Sequence, residues 1–499
     1  MKKLILLFTF LGIASGIFAQ VSKTVNVATS GTLFDLLFSN ELAIITNLTL
    51  TGTIDARDFK TMRDNMPLLA VLDLGEATIA AYNGAGGTGN YLPNYPANTI
   101  PANAFLNKTW QGKISLTSIV FPVSLTAIGE YSFYSCNGLT SLVIPSSVAS
   151  IGSYAFSLCQ GLTAITIPIS VTSIGVQAFS HFNGLITVDP DNLNYSSSNG
   201  VLFNKTQTEL IQCPVSKTGY YAIPPSVTTI GNNAFFTCRG LTSVTIPSSV
   251  TSIGKSAFDY CSGLTSVTIP SSVTSIGSYA FDYCSGLTSV TIPSSITTIS
   301  ESTFIGCSNI TSVTIPNSVI TIGIFVFYGC SRLTSVSIPS SVTSIGSYAF
   351  YNCTGLTSIT TSRITPIDLS SSSNIFKYID KTTCTLYVPV GSKSAYQVAD
   401  QWKDFTNIVE KDFTGIDPMI SDQKLTIYPN PTTGKIKIVF DQIPIKGTTL
   451  TVNDFTGKTI LTRSIRNKEE VIDLKGNSPG VYLIRTDMKD FKVQKVILK

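Results

Sequence analysis

The sequence predicts a mainly β protein with short helices: a solenoid of stacked 23-residue coils, then a small C-terminal β-sandwich. Two observations carry this prediction. Apolar residues lead a repeat at Leu116, Leu139, Leu162, Leu185, Leu241, Leu264, Leu287, Ile310, Leu333 and Leu356, each step being 23 residues except 185 to 241. Charge is also distributed unevenly. Residues 116–360 hold 12 charged side chains, whereas residues 425–499 hold 20. Such a shift marks a domain boundary.

The unit is clearest at Leu241–Gly263, LTSVTIPSSVTSIGKSAFDYCSG, and the next copy differs from it at two positions. A period of 20–29 with L-x-x-L-x-L spacing is the signature of a leucine-rich repeat, so the array is expected to be a right-handed leucine-rich-repeat solenoid. Leu241, Val244 and Ile246 form an apolar stripe that one coil cannot bury alone, so coils stack. Pro247 ends the strand because it cannot donate to a ladder. Val250 and Ile253 point into the core, and Gly254 is read as permitting a tight corner. Phe258 and Cys261 close the coil. The 56-residue step from 185 to 241 equals two units plus ten residues, which places an insertion near 192–221.

The ends differ from the array. Leu48, Leu50, Leu72 and Leu74 flank a helical pattern at Ala56–Asn65, which suits an N-terminal cap. Leu386–Pro389 followed by Ser392–Phe405 reads as a strand and a polar-faced helix closing the other end. Atypical end units keep solenoids soluble. Lys2 and Lys3 precede an apolar run from Leu4 to Phe18, with a cleavage point expected between Ala19 and Gln20; this is the shape of a secretory signal peptide. No other stretch is long enough for a transmembrane helix. The expected organisation is a signal peptide (1–19), an N-terminal cap with the first coils (20–115), the array (116–360), a C-terminal cap (361–412), a polar linker (413–424) and the final β domain (425–499). Short alternating runs such as Lys435–Phe440, Thr449–Asn453 and Val481–Arg485 give that last domain its sandwich pattern.

The composition excludes several functions. The net charge of +4 provides no basic stripe for nucleic acid. One histidine, His181, removes chemistry that needs two imidazoles. There is no GxGxxG, P-loop or GxSxG, so neither a cofactor nor a catalytic residue is expected. Eight of ten cysteines recur at one repeat position (136, 159, 238, 261, 284, 307, 330 and 353), with Phe182 in the same slot of another coil. Stacked rungs would allow disulfides, but parallel side-chain vectors suit a ladder of buried thiols better. Without a CxxC pair or a His cluster, a metal site is not expected. Asp259 and Asp282 share a register on adjacent coils and are read as solvated charges. The outward strand positions Ser243, Thr245, Ser266, Thr268, Ser289, Thr291, Ser312, Thr314, Ser335 and Ser337 form a flat, uncharged hydroxyl face. It is either a binding face for an extracellular protein or glycan, or a solvated ladder suited to β geometry. Ordered Thr arrays also occur on ice-binding solenoids, but here Ser often takes the first place.

The unit, with its Ile-Pro, Ile-Gly and Ala-Phe positions, resembles the BspA-type leucine-rich repeats of bacterial surface proteins over roughly 116–410. Ser300 in the Gly slot and the insertion are departures, and Ser300 is expected to distort one corner. The C-terminal 75 residues resemble the type IX secretion sorting domain of Bacteroidetes. YPNPTTG contributes Tyr428, Pro429, Asn430, Pro431 and Gly434. DFTGK contributes Gly457, and GVYLIR contributes Gly480 and Tyr482. These resemblances imply export through the inner membrane and then recognition of residues 425–499 by the type IX translocon and its sortase. They also imply a secreted or surface-attached product with adhesive roles toward host or matrix proteins and other bacteria. The main alternative is a spacer or matrix component without a ligand; a hydrolase has no residues to stand on.

Overall fold

The computed structural model describes residues 20–89, 94–413, 425–428, 432–440, 448–454, 458–465, 467–486 and 494–498. The expected signal peptide with Ala19, and the expected linker beyond Phe413, lie outside these residues. The chain forms two compact units, Met1–Lys411 and Asp412–Lys499.

In the first unit, each coil contributes a strand to one parallel ladder, a short strand to a second, and a turn-rich third side. The first ladder pairs Ser243 with Ser266 and Thr245 with Thr268, then Ser289 with Ser312 and Thr291 with Thr314. The second pairs Ser252–Ile253 with Ser275–Ile276. On these two sides the bonds run to both neighbours, as from the Thr265 N–H back to the Thr242 carbonyl (3.0 Å) and from the Ile292 N–H forward to the Thr314 carbonyl (3.4 Å). On the third side N–H groups donate to the following coil, as from Phe258 to Ala280 and Tyr260 to Asp282 (both 2.8 Å). The backbone of this side is left-handed twice per coil, at Ser256 and Tyr260, then Tyr279 and Tyr283, with Gly306 and Gly329 at the second position of the next two coils. Coils thereby bond to their neighbours on all three sides.

Gly254 has a different role from the corner expected of it. A Cβ there would lie 2.7 Å from the Asn232 amide nitrogen and 2.7 Å from the Gly231 carbonyl carbon of the preceding coil. The glycine column lets backbones approach, and the left-handed corner falls two residues later. Ser300 does disturb this column. Its hydroxyl donates to the Ile276 carbonyl at 2.6 Å, the oxygen whose equivalent, Ile253, accepts the Gly277 N–H (2.9 Å). The second ladder stops at Ser275–Ile276 and restarts at Thr298–Ile299.

The interior is columnar. Phe235, Phe258, Phe281, Phe304, Phe327 and Phe350 stack with ring centroids 4.7–5.8 Å apart and planes within 18°. Beside them all ten cysteines are buried free thiols. Cys261, Cys284 and Cys307 donate to the carbonyls of Phe235, Phe258 and Phe281 one coil back (3.0, 3.0 and 3.1 Å). Burial pushes the Cys136 and Cys330 thiols up to about 12, so the reactive thiolate is absent at neutral pH.

The caps and insertion refine the sequence picture. The N-terminal helix spans Ala56–Asp64 and is capped by Asp55, which accepts from the Arg57 N–H at 2.8 Å. At the other end only Lys393–Tyr396 is helical, not 392–405. Trp402 is instead drawn into the core, where its indole N–H donates to the Ile367 carbonyl (3.0 Å). The insertion forms antiparallel strands Tyr195–Ser198, Val201–Asn204 and Glu209–Gln212. The apolar core divides there into two clusters.

In the second unit, Leu425–Tyr428, Lys435–Phe440 and Glu469–Asp473 form one antiparallel sheet; Thr449–Asp454, Thr459–Ser464, Gly480–Thr486 and Gln494–Leu498 form another. Their inner faces share one core that includes Ile436, Ile438, Leu450, Val452 and Ile484, as alternation along sandwich strands requires. Among the described residues no helix is long and apolar enough to cross a membrane.

Candidate functional site

The hydroxyl face is built by strand alternation. Val244, Val267, Val290, Val313 and Val336 turn inward, so their flanking Ser and Thr residues turn out. Nine of the ten face residues are exposed and Ser243 is half-buried. The face is interrupted, because the strands Ser266–Thr268 and Ser289–Thr291 belong to different ladders.

Two other hydroxyl columns of the repeat are occupied. Thr265, Thr288, Thr311, Thr334 and Thr357 each donate to the carbonyl of the matching Thr one coil back, at 3.1–3.4 Å. Ser249, Ser272, Ser318 and Ser341 donate at 2.7 Å to core-facing residues of the preceding coil. These columns staple coil to coil. Among the described residues the ten face side chains have no such partner. They present free donors and acceptors to solvent.

Asp259 and Asp282 are corrected by the structure. They are only 7% and 8% exposed, and each has one carboxylate oxygen without a partner. The register that holds Tyr328 and Tyr351 elsewhere carries these carboxylates, each followed in the chain by a tyrosine of the stacked Tyr260–Tyr283 pair (ring centroids 5.0 Å). Burial pushes Asp259 up to about 6, against a Ser256 side-chain bond and the Tyr260 N–H. Burial and then the Asp259 charge push Asp282 up to about 7. The repeat period alone could not show this burial.

The turn side carries a feature missed in the sequence, an aromatic edge. Tyr131–Tyr154, Phe325–Tyr348 and Tyr328–Tyr351 stack at 4.7–4.9 Å, with Trp110 and Tyr378 packed edge-on at its ends. The recurring Ser-Tyr-Ala-Phe segment was the available signal. His181 lies half-buried on this side with its ring edge-on to Phe236 (5.1 Å), its basicity lowered by burial and then by Arg239. Among the described residues no three His, Cys, Asp or Glu side chains group as metal ligands.

In the second unit, Tyr428 is exposed at the end of its strand. Gly434 donates its N–H to the Thr432 hydroxyl (3.1 Å), and its carbonyl accepts from Leu474 (2.8 Å). Tyr482 is buried, with its hydroxyl donating to the Ser478 carbonyl (2.7 Å), four residues back and just before Gly480. Pro429, Asn430, Pro431 and Gly457 lie outside the described residues. Gln20 opens the described chain.

The BspA type leucine rich repeat region matches residues 98–222, 216–322 and 297–384, and the secretion system C-terminal sorting domain matches 426–499. No curated protein matches. A leucine-rich repeat protein from Eubacterium ventriosum is 25% identical, with 68% of this chain and 84% of that one covered and a TM-score of 0.52. A leucine rich cell surface protein from Faecalibacterium prausnitzii is also 25% identical, covering 68% and 82% with a TM-score of 0.40. The pneumococcal vaccine antigen PcpA is 18% identical, covering 74% and 80% with a TM-score of 0.46. With the repeat matched over more than half its length, this chain belongs to the BspA-type leucine-rich repeat proteins, and it ends in a secretion-system sorting domain.

Proposed function

We propose that this protein is a non-enzymatic binding protein, an adhesin for host or matrix proteins or other cells. It leaves the cell through the type IX system by way of residues 425–499 and acts as a secreted or surface-attached product. The observation that carries this reading is the hydroxyl face. Ten side chains at two outward strand positions have no intramolecular partner among the described residues, while one neighbouring Thr column and one Ser column bond coil to coil. An extended surface is what solenoids use for partners. Presenting the full chain to an array of matrix proteins, glycans and partner cells tests it: selective binding supports the adhesin, and binding to none overturns it.

The break in the face between Thr268 and Thr291 favours a second reading, a spacer without a ligand. A hydrolase reading would need a base and nucleophile around Asp259 and Asp282, whose surroundings are tyrosines. Export has its own test. Deleting residues 425–499 should leave the protein in the periplasm, detected by fractionation; undiminished surface display would contradict the sorting role.

A further inference from the structure

The second ladder runs from Thr99–Ile100 to Ser173–Ile174 and stops, because the insertion interrupts the repeat. A cavity of about 450 Å³ lies there, between Ile174 and the inserted strands. Its size falls within the ~300–1,000 Å³ common for small-molecule sites.

The lining has a distinct chemistry. Gln177 and Asn194 contribute amides, and Glu209 contributes a carboxylate, none with a side-chain partner among the described residues. Asn232 accepts the Lys255 N–H with its carbonyl oxygen (2.8 Å) and leaves its amide NH2 free. Gln212 is only 4% exposed. Its NH2 donates to the Cys213 carbonyl (3.0 Å), while its own carbonyl oxygen accepts nothing from the described chain. Ile174, Val176 and Leu202 supply apolar surface. No Lys, Arg or His lines the cavity, so nothing there neutralises an anionic ligand.

Amides donate and accept, a carboxylate accepts, and apolar side chains take C–H faces. We propose that this cavity binds a neutral sugar residue, its hydroxyls held by Gln177, Asn194, Glu209, Gln212 and Asn232. A peptide adding as a strand is disfavoured, because the Tyr195 hydroxyl already accepts the Ile174 N–H (3.0 Å) at the open ladder end. The site is separate from the hydroxyl face and does not depend on it.

The test uses the full chain with maltose, lactose, mannobiose and chitobiose, a glucuronate disaccharide and an alanine tetrapeptide, with binding read by saturation-transfer NMR and titration. At least one neutral disaccharide is expected to bind, and the glucuronate and peptide are not. Combining Gln177→Ala with Glu209→Ala should weaken binding about tenfold or more, since each lost hydrogen bond is worth ~1 kcal/mol. Both residues lie at the surface of the cavity, so the melting temperature should hold; Asn194→Ala, at an exposed side chain without a partner among the described residues, is the second variant if it does not. Thr245→Lys should leave sugar binding unchanged, which separates this site from the hydroxyl face. The proposal is overturned if no neutral disaccharide binds at millimolar concentration, if the cavity variants bind normally, or if the peptide competes.

Discussion

Replacing Asp259 and Asp282 together by asparagine raises stability at pH 7.5 by several kcal/mol, and the gain shrinks toward zero near pH 4. Both carboxyls titrate higher in the folded chain, at about 6 and about 7, than the usual carboxylate near 4. The folded state therefore holds more protons between about pH 4 and 7, and the pair's contribution to stability falls as pH rises through that window. The cause is burial with one orphan oxygen on each carboxylate and no ion pair to either residue among those described. Tyr260 and Tyr279 lie within electrostatic reach of Asp282, Glu301 accepts from the Tyr279 hydroxyl (3.1 Å), and Arg239 lies over the Tyr260 ring (6.0 Å). Urea unfolding of wild type and variant at pH 4.5 and 7.5 measures the difference. Equal stability at both pH values would mean the carboxylates are solvated, as the sequence alone suggests.

Gly277→Ala is expected to cost about 3 kcal/mol, at the upper end of ordinary overpacking. Its Cβ would fall 2.5 Å from the Lys255 amide nitrogen and 2.7 Å from the Gly254 carbonyl carbon. Both are backbone atoms of the preceding coil and cannot rotate away, so the coils must separate. Gly277→Ser should be milder. Ser300 already holds this slot, with its hydroxyl on the Ile276 carbonyl, at the expense of one ladder junction. Equal losses for Ala and Ser, measured by denaturation with strand content followed by circular dichroism, would contradict this account of the glycine column.

The repeat period made the stacking legible, because Leu241, Val244, Ile246, Phe258 and Cys261 recur every 23 residues and all are buried. The helix at Ala56–Asp64 was equally readable from its pattern and its Asp55 cap. What the sequence hid depends on contacts between coils. Gly254 looked like a corner because glycine tolerates positive φ, yet Ser256 and Tyr260 take that conformation. Ser392–Phe405 looked helical, but burial of Trp402 outweighs its helical pattern. The candidate face was legible by alternation; that its hydroxyls stay free while the Thr265 column is occupied is visible only across coils.

On the adhesin reading, those free hydroxyls meet a partner. The direct test replaces Thr245, Thr268, Thr291 and Thr314 by lysine in the full chain, leaving the strands' buried residues untouched. Adhesion of cells displaying this variant is then compared with wild type at equal surface level. The account predicts adhesion lost by about tenfold or more, because four buried-charge penalties would fall on one interface. Adhesion unchanged at matched display would contradict it and leave the spacer reading standing.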